Sequence, residues 1–314
     1  MFARIKETIE KGGTFLVTTH ADPDGDAVGS AFAVCLALAD MGKEAAVYLK
    51  DPVPYRYAFL PRPRSVLHRL PENAYDVVFV VDCGKLDRVG DGSAALAEKG
   101  FIVNIDHHEA NEAFGRINIV DERASSAAEI LYLIFKSLSV KLTYEIAVNL
   151  YTAVLTDTGS FRYESTTRRA FSICEEMTDL GVRPASVAAA VYESHPKERY
   201  HLLCLVLATL ETHREDRVAT AYVTREMFEK TGTNREHAEG FVEILKEIRG
   251  VEVACFIREL SEGRYKISMR SKGAVDVASV ARAFGGGGHR NAAGCVIEGG
   301  IDTVKTRLVG AISL

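Results

Sequence analysis

Hydrophobic residues in the first half of the chain form short runs separated by longer segments of mixed polarity. Runs rich in β-branched and aromatic residues predict strands, here at 14–19, 44–49, 76–82, 101–106 and 117–121. Residues 28–41 are rich in Ala and Leu and are followed by Gly42, which predicts a helix with a C-terminal stop. Alternating strands and helices predict an α/β domain with a doubly wound parallel sheet.

Beyond residue 121 the hydrophobic pattern predicts a series of helices and then a second domain. Helical spacing predicts helices at 125–138, 143–159, 166–180 and 184–193. We predict a larger domain that carries the candidate catalytic residues at 1–185, a linker at 186–199 and a second, smaller α/β domain at 200–314. In the second domain we predict helices at 200–213, 235–248 and 275–284, strands at 217–224, 251–259 and 264–270, a GGGGH loop, and a final strand and helix. Residues 52–71 contain many prolines and are predicted to be irregular.

Composition narrows the class of protein. A chain of 314 residues with 47% hydrophobic and 26% charged residues is typical of a globular protein with more than one core. The net charge of −5 argues against binding long nucleic acid, but a local basic pocket could hold a short nucleotide. Scattered cysteines without a CxxC pair predict reduced thiols and a cytoplasmic location. We expect no signal peptide and no membrane anchor.

Acidic residues and histidines follow several predicted strands. HADPDGD at 20–26 follows the first strand, Asp82 ends the strand at 76–82, and residues 106–108 (Asp-His-His) end the next. The carboxyl ends of parallel strands meet at one edge of a sheet, where ligands bind. Asp157 belongs to an apolar helix, where an unpaired carboxylate would be costly. Together these side chains predict a metal site.

Each residue also has a simpler interpretation. Asp26 could cap a helix, His20 could be an ordinary polar residue, and Asp82 could cap a turn. The joint arrangement favours a metal, and carboxylates with imidazoles and no cysteine favour Mn²⁺, with Mg²⁺, Co²⁺ and iron as alternatives. Two divalent cations would balance the four carboxylates, as in phosphoryl transfer at two-metal sites. These carboxylates are Asp24, Asp26, Asp82 and Asp157.

The glycine segment, which we define as residues 282–294 (RAFGGGGHRNAAG), is the second signal. Consecutive glycines leave backbone amides unshielded, so they can bind an anion. The basic strand just before it makes this region locally positive, which suggests an anionic ligand. The alternative is a flexible turn beside a solvated strand. The candidate substrate-binding residues are Arg270, Ser271, Gly287, Gly288, His289 and Arg290.

The motifs HADPDGDAVGS, VVDCG, DHH and TDTGSFRY, in this order, resemble those of the DHH phosphoesterase family. The glycine segment resembles the family's DHH-associated C-terminal domain, so the resemblance covers residues 14–298. Length and layout are most similar to the subgroup that degrades very short RNAs and dephosphorylates adenosine 3′,5′-bisphosphate (pAp). The resemblance implies mononucleotides, or AMP and phosphate, as products, and an active site in a cleft between the two domains.

The resemblance also implies residue roles. Asp82 would bridge two metal ions and, with His108, would be catalytic. The first ion would also be bound by His20 and Asp24, and the second by Asp26, His107 and Asp157. Asp106 would orient a histidine, His108 would contact the phosphate or protonate the leaving oxygen, and Arg162 would contact a phosphate.

Two other functions remain open. One is a phosphodiesterase specific for linear or cyclic dinucleotides such as pApA. The other is a non-catalytic nucleotide sensor, which would be free to lose metal ligands. Apolar helices such as 125–138 are candidates for pairing two protomers, so a homodimer is a further expectation.

Overall fold

The computed structural model describes residues 2–314, which form two units, the first ending at Ser194 and the second beginning at His195. The first unit is built on a six-stranded sheet, and every pair of neighbouring strands in it is parallel. The strand order is β3-β2-β1-β4-β5-β6. These strands are β1 Thr14–Thr18, β2 Glu44–Tyr48, β3 Val66–Leu67, β4 Val77–Val81, β5 Phe101–Asp106 and β6 Ile117–Val120.

Helices cover both faces of this sheet. Along β1, Phe15 and Val17 pack in one hydrophobic cluster and Leu16 packs in another, because successive strand residues point to opposite faces. All five residues of β4 are buried, as the apolar run predicted. The helices are α1 Phe2–Lys11, α2 Gly25–Asp40, α3 Ser93–Lys99, α4 Ala127–Ser137, α5 Tyr144–Asp157, α6 Arg168–Asp179 and α7 Pro184–Tyr192. The predicted parallel α/β fold is confirmed.

Helices α2 and α5 pack closely together, and this contact positions the site described below. A Cβ added at Gly29 of α2 would lie 2.5 Å from the carbonyl oxygen of Asn149 and 3.1 Å from Cβ of Ala153, both on α5. Only glycine permits this separation of the helix backbones. The first turn of α2 and the last turn of α5 both carry predicted metal ligands, so this packing fixes their spacing.

The second unit contains a mixed sheet of order β11-β12-β10-β9-β8-β7, in which only β8 and β9 pair in parallel among the described strands. Its core includes Ile267 and Met269 of β10, and Tyr265 is buried with them. The strands are β7 Glu211–His213, β8 Val218–Val223, β9 Val253–Ser261, β10 Arg264–Ser271, β11 Gly287–His289 and β12 Ala292–Glu298. The helices are α8 Lys197–Leu207, α9 Arg225–Thr231, α10 Phe241–Lys246, α11 Val277–Arg282 and α12 Ile301–Ala311.

Three predicted elements of the second unit were wrong. The helix predicted at 200–213 ends at Leu207, because residues 211–213 pair with β8 as an edge strand. The helix predicted at 235–248 is interrupted at Gly240, whose φ of 80° is left-handed, and its first part is a short 3-10 helix. The GGGGH loop contains strand β11, which pairs with β12.

Other differences concern elements that the sequence pattern did not reveal. Helices α1, α3 and α9 were not predicted, and the segment 52–71 contains a 3-10 helix at Tyr55–Tyr57 and the short strand β3. A further 3-10 helix lies at Leu86–Val89. Most apolar side chains of α4 are buried in the core of the first unit. The homodimer stays a prediction.

Candidate metal centre

The predicted metal ligands lie at the carboxyl edge of the parallel sheet. We call them the acid cluster: His20, Asp24, Asp26, Asp82, His107 and Asp157. Strands β1, β4 and β5 are neighbours, so the segments that follow them converge at this edge. Helix α5 contributes Asp157 as its last residue. The structure therefore brings together side chains that are separated by up to 137 positions along the chain.

Asp82 lies at the centre of this cluster. Its side chain is only 3% exposed, and its φ of 51° is left-handed, which is uncommon for a non-glycine residue. Oδ2 lies 3.6 Å from Nε2 of His20, and Oδ1 lies 3.5 Å from Nε2 of His107 and 3.7 Å from Nδ1 of His108. Within the described chain, this buried Oδ1 accepts no hydrogen bond. Such an unsatisfied oxygen is what a bound cation would satisfy.

The candidate ligand atoms around Asp82 fall into groups. His20, Asp24 and Asp82 form one group, and each residue offers an atom within 4.8 Å of the others. Asp26, His107 and Asp157 form the second group on the same criterion. Nε2 of His107 lies 3.4 Å from Oδ2 of Asp157 and 3.9 Å from Oδ2 of Asp26. A third such group joins Asp82 to His107 and His108, so it shares Asp82 with the first group and His107 with the second.

The two histidines of the acid cluster are oriented by backbone carbonyls. Nδ1 of His20 lies 2.8 Å from the oxygen of Ala21, and Nδ1 of His107 lies 3.3 Å from the oxygen of Ala124. If Nδ1 carries the proton in each ring, Nε2 is the lone-pair atom that faces the carboxylates. This arrangement is typical of metal-binding histidines.

Asp24 and Asp26 are held in different ways. Asp24 is the N-cap of α2 and accepts a 3.0 Å hydrogen bond from the amide of Ala27. Asp26 is buried in the first turn of α2 and accepts bonds of 2.6 and 3.1 Å from the amides of Ala127 and Ala128. The capping role considered for Asp26 therefore belongs to Asp24. The N-terminus of α4 orients Asp26, because helix N-termini attract carboxylates.

Burial and mutual repulsion destabilise the charged forms of two of the carboxylates. Burial, together with the charge of Asp82, raises the pKa of Asp26 to about 7, although His107 lies close. Burial also raises the pKa of Asp157 well above its usual range, and the charge of His107 offsets this only in part. Divalent cations would supply the compensating charge that these acids need when ionised.

Asp82 and the histidines are shifted in the opposite sense. Burial alone would raise the pKa of Asp82, but its interactions with His107 and His20 outweigh burial and hold the pKa well below its usual range. Burial disfavours protonated His20, yet the attraction of Asp82 and Asp24 outweighs it and raises the pKa of His20 to about 9. The donor set of carboxylates and imidazoles, together with the unsatisfied Oδ1 of Asp82, fits divalent cations.

Asp106 lies behind the cluster and contacts the histidine after His107. Its Oδ1 is 2.7 Å from Nδ1 of His108, and its Oδ2 accepts a 2.6 Å bond from Asn111. Asn111 also bonds Oδ1 of Asn104, at 2.8 Å. Hydrogen bonds to both oxygens therefore fix the Asp106 carboxylate, which in turn fixes the His108 ring.

Two residues that support the cluster, Asn104 and Arg88, were not singled out in the sequence. Asn104 is fully buried in β5 and donates to the carbonyls of Val80 and Cys83, so it ties β5 to the end of β4. A polar residue inside the apolar run FIVNID was a usable signal for Asn104. Arg88 had no such signal: its carbonyl accepts a 2.7 Å bond from Ala21, and its charge opposes protonation of His20.

Two of the predicted phosphate-binding arginines, Arg162 and Arg270, are already engaged within the chain. Arg162 follows α5 and donates from Nε to the carbonyl of Gly159 at 2.8 Å. Arg270, on β10, forms a 2.8 Å ion pair with Glu243 of α10. A phosphate that contacts Arg270 would compete with Glu243 for this guanidinium or share it.

The remaining predicted residues of the second unit belong to or adjoin the β11–β12 hairpin. Ser271 is buried and donates to Oδ1 of Asn291 at 3.0 Å. Gly287, Gly288 and His289 form β11, and Arg290 lies in the turn that follows.

Gly288 has a packing role that the sequence did not reveal. Its φ is 140°, and an added Cβ would lie 2.5 Å from the oxygen of Ala292. An added Cβ at Gly287 would have no atom within 4 Å, so this glycine is not required by packing.

Two general findings concern the whole described chain. None of its helices combines the length and the apolar character needed to cross a membrane. All six cysteines are free, and five of them are buried.

Comparison with known proteins identifies the family. The DHH family N-terminal domain matches residues 14–156, and the DHHA1 domain matches residues 215–312. The bifunctional oligoribonuclease and PAP phosphatase NrnA of Thermus thermophilus is 32% identical over 99% of this chain and 92% of its own. A probable enzyme of the same name from Streptococcus mutans is 28% identical over 93% of this chain and 92% of its own. The chain belongs to the DHH family.

A solved structure agrees with this assignment. An exopolyphosphatase-related protein from Bacteroides fragilis superposes with a TM-score of 0.92 at 28% sequence identity. The match covers 99% of this chain and 94% of that protein. The likeness thus extends over both units of the fold.

Proposed function

We propose that this protein is a phosphoesterase that uses two divalent metal ions to hydrolyse very short oligoribonucleotides to mononucleotides and pAp to AMP and phosphate. The observation that carries the proposal is the pair of ligand groups around Asp82, whose buried Oδ1 lacks a hydrogen bond from the described residues. The names of the relatives from Thermus thermophilus and Streptococcus mutans support both substrate classes.

The two groups support the proposed assignment of metal ligands, in which Asp82 is shared between the ions. One ion would be held by His20, Asp24 and Asp82, and the other by Asp26, Asp82, His107 and Asp157. Mn²⁺ suits this mixture of carboxylates and imidazoles, and Mg²⁺ or Co²⁺ are alternatives. When bound, the two ions would supply Lewis acidity towards the phosphoryl oxygens and lower the pKa of the attacking water.

His108 is the proposed general acid. Its Nδ1 is held by Asp106 at 2.7 Å, so Nε2 is the ring atom proposed to donate to the leaving oxygen or to a phosphoryl oxygen. Asp106 fixes the ring in one orientation, and Asn111 fixes Asp106. Transfer of a proton to the departing oxygen avoids an unstable alkoxide in the product.

The second unit is proposed to bind the rest of the nucleotide. The basic side chains of Arg270, His289 and Arg290, the hydroxyl of Ser271 and the exposed backbone at Gly287 and Gly288 match an anionic ligand in charge and hydrogen-bonding capacity. Arg162 is proposed as a further phosphate contact. We also propose a cytoplasmic location, which the six free cysteines support. A homodimer is a further proposal, and light scattering would measure the molar mass that tests it.

A turnover assay with Mn²⁺ tests the proposal. The substrates are pAp and a ladder of short RNAs of increasing length, and released phosphate and mononucleotides are measured. Asp82→Asn serves as the inactive variant, since Asn tolerates the left-handed backbone at this position better than Ala. Asp87→Ala, at an exposed position five residues away, is the matched control and should retain full activity.

Three outcomes separate the hypotheses. Turnover of pAp and of several short RNAs, lost in Asp82→Asn, supports the proposal. Strong preference for a dinucleotide such as pApA over both the trimer and pAp would instead support the dinucleotide phosphodiesterase. Binding of nucleotide to the metal-loaded protein without any turnover would support the sensor.

A further inference from the structure

A buried carboxylate outside the acid cluster, that of Glu129, lies in the first turn of α4. Its side chain is 1% exposed. Oε2 accepts hydrogen bonds from the amide and hydroxyl of Ser125, at 3.1 and 2.7 Å, and from Thr167 at 2.9 Å. Oε1 pairs with Arg169 at 3.0 Å. A buried charge needs such complete hydrogen bonding to be tolerated.

These contacts fix the chain segment that carries the amides bound to Asp26. Ser125 lies two residues before Ala127, and Ser126, between them, is the N-cap of α4 and accepts from the amide of Glu129. Ala127 and Ala128 donate to the two oxygens of Asp26 at 2.6 and 3.1 Å. The side chain and the backbone of Glu129 therefore hold the two residues that precede these donors.

The contacts of Glu129 with α6 are also consistent with a purely structural role. Glu129 also links α4 to α6 through Thr167 and Arg169, as an ordinary interhelical contact would. Glu176 of α6 offers a direct comparison, because it joins the same two helices through Tyr132 at 2.5 Å and Lys136 at 3.0 Å. That contact lies at the other end of α4, and neither partner is near the amides that bind Asp26.

We propose that Glu129 is a positioning residue for the metal ion that Asp26, His107 and Asp157 would bind. By clamping Ser125 it fixes the N-terminus of α4, and that N-terminus sets the direction of the Asp26 carboxylate. The inference rests on the two-metal function proposed above. Glu129 itself touches neither metal nor substrate.

The test is calorimetric titration of Mn²⁺ into the full chain, with no substrate present. In wild type we expect two bound ions. Glu129→Gln keeps the shape of the side chain but removes its charge and presents an amide to Arg169. One of the two ions should therefore bind about tenfold more weakly, which is the typical effect of altering a residue that supports a metal ligand. The other ion should bind as in wild type. Glu176→Gln should leave both affinities unchanged.

Activity gives a second readout. In Glu129→Gln, hydrolysis of pAp at low Mn²⁺ should fall and should recover when Mn²⁺ is raised about tenfold, with little change in KM for pAp. A loss of folding alone would not be rescued in this way. If Glu129→Gln does not fold, Ser125→Ala removes one hydroxyl donor and should weaken the same ion by about threefold.

The outcomes are distinct. The positioning role would be overturned if Glu129→Gln bound both Mn²⁺ ions with wild-type affinity. It would also be overturned if Glu129→Gln and Glu176→Gln weakened Mn²⁺ binding equally. Both results would leave the two-metal proposal intact. A wild-type protein that binds no Mn²⁺ would overturn the proposed function itself. Selective weakening of one ion in Glu129→Gln supports the inference.

Discussion

The acid cluster and the glycine segment differ in how far their polar groups are satisfied within the chain. In the acid cluster, Oδ1 of Asp82 is buried without a hydrogen bond from the described residues, and burial raises the pKa of Asp26 and Asp157. Beside the glycine segment, Arg270 pairs with Glu243 and Ser271 pairs with Asn291. The first region leaves a buried acceptor and crowded carboxylates that a cation would compensate, whereas the polar groups of the second already have partners, which an anionic ligand would have to displace.

The largest expected effect is at His108. His108→Ala should lower kcat for pAp by about 10³-fold, since general acid catalysis contributes roughly 10²–10⁴-fold. Asp106→Asn should cost less, about tenfold, because it only weakens the orientation of the ring. Steady-state kinetics at saturating Mn²⁺ measures both. Equal losses in the two variants would contradict the division of roles.

Mn²⁺ should stabilise the first unit. At a concentration about 100 times Kd, binding of one ion adds roughly 2.7 kcal/mol to the free energy of unfolding. Thermal unfolding with and without Mn²⁺ should therefore show a clear rise in Tm for wild type. The rise should be largely lost in Asp82→Asn and retained in Asp87→Ala. An equal rise in all three proteins would indicate binding elsewhere.

Two adjacent glycines separate packing from ligand binding in the glycine segment. Gly288→Ala should destabilise the protein by about 2 kcal/mol, because the added Cβ meets the oxygen of Ala292 in an unfavourable backbone conformation. Gly287→Ala should leave Tm nearly unchanged. If the backbone at Gly287 contacts the nucleotide, its variant should still raise KM for pAp. Comparable Tm losses in both variants would contradict the assignment of the packing role to Gly288 rather than Gly287.

The smallest expected effect concerns the ion pair of Arg270. Arg270→Met should raise KM for pAp about tenfold with little change in kcat, which corresponds to about 1.4 kcal/mol of binding. Glu243→Gln, which frees Arg270 from its competitor, should lower KM by about twofold. Kinetics on both variants distinguishes substrate binding from a purely structural ion pair, for which neither KM would change.

Much of the fold and the convergence of the acid cluster could be predicted, because the hydrophobic pattern of each short segment identifies the strands and the order of strands and helices indicates a parallel sheet. The strand predicted at 101–106 has the observed bounds, and a parallel sheet necessarily brings the ends of neighbouring strands together. The hydrogen bonds from Ala127 and Ala128 to Asp26 could not be predicted, because they join residues about a hundred positions apart. Strand β7 was missed for a different reason: its partner β8 is only a few residues further along the chain, but this pairing overrides the local helical pattern.

The close approach of α2 and α5 at Gly29 means that catalysis could be lost without touching any group that takes part in it. A single methyl there would force the two helix backbones apart, and Asp157, the last residue of α5, would move with its helix. Such a variant would keep every chemical group of the reaction and still fail, because the distance between two carboxylates is set by the absence of a side chain about one helical turn away.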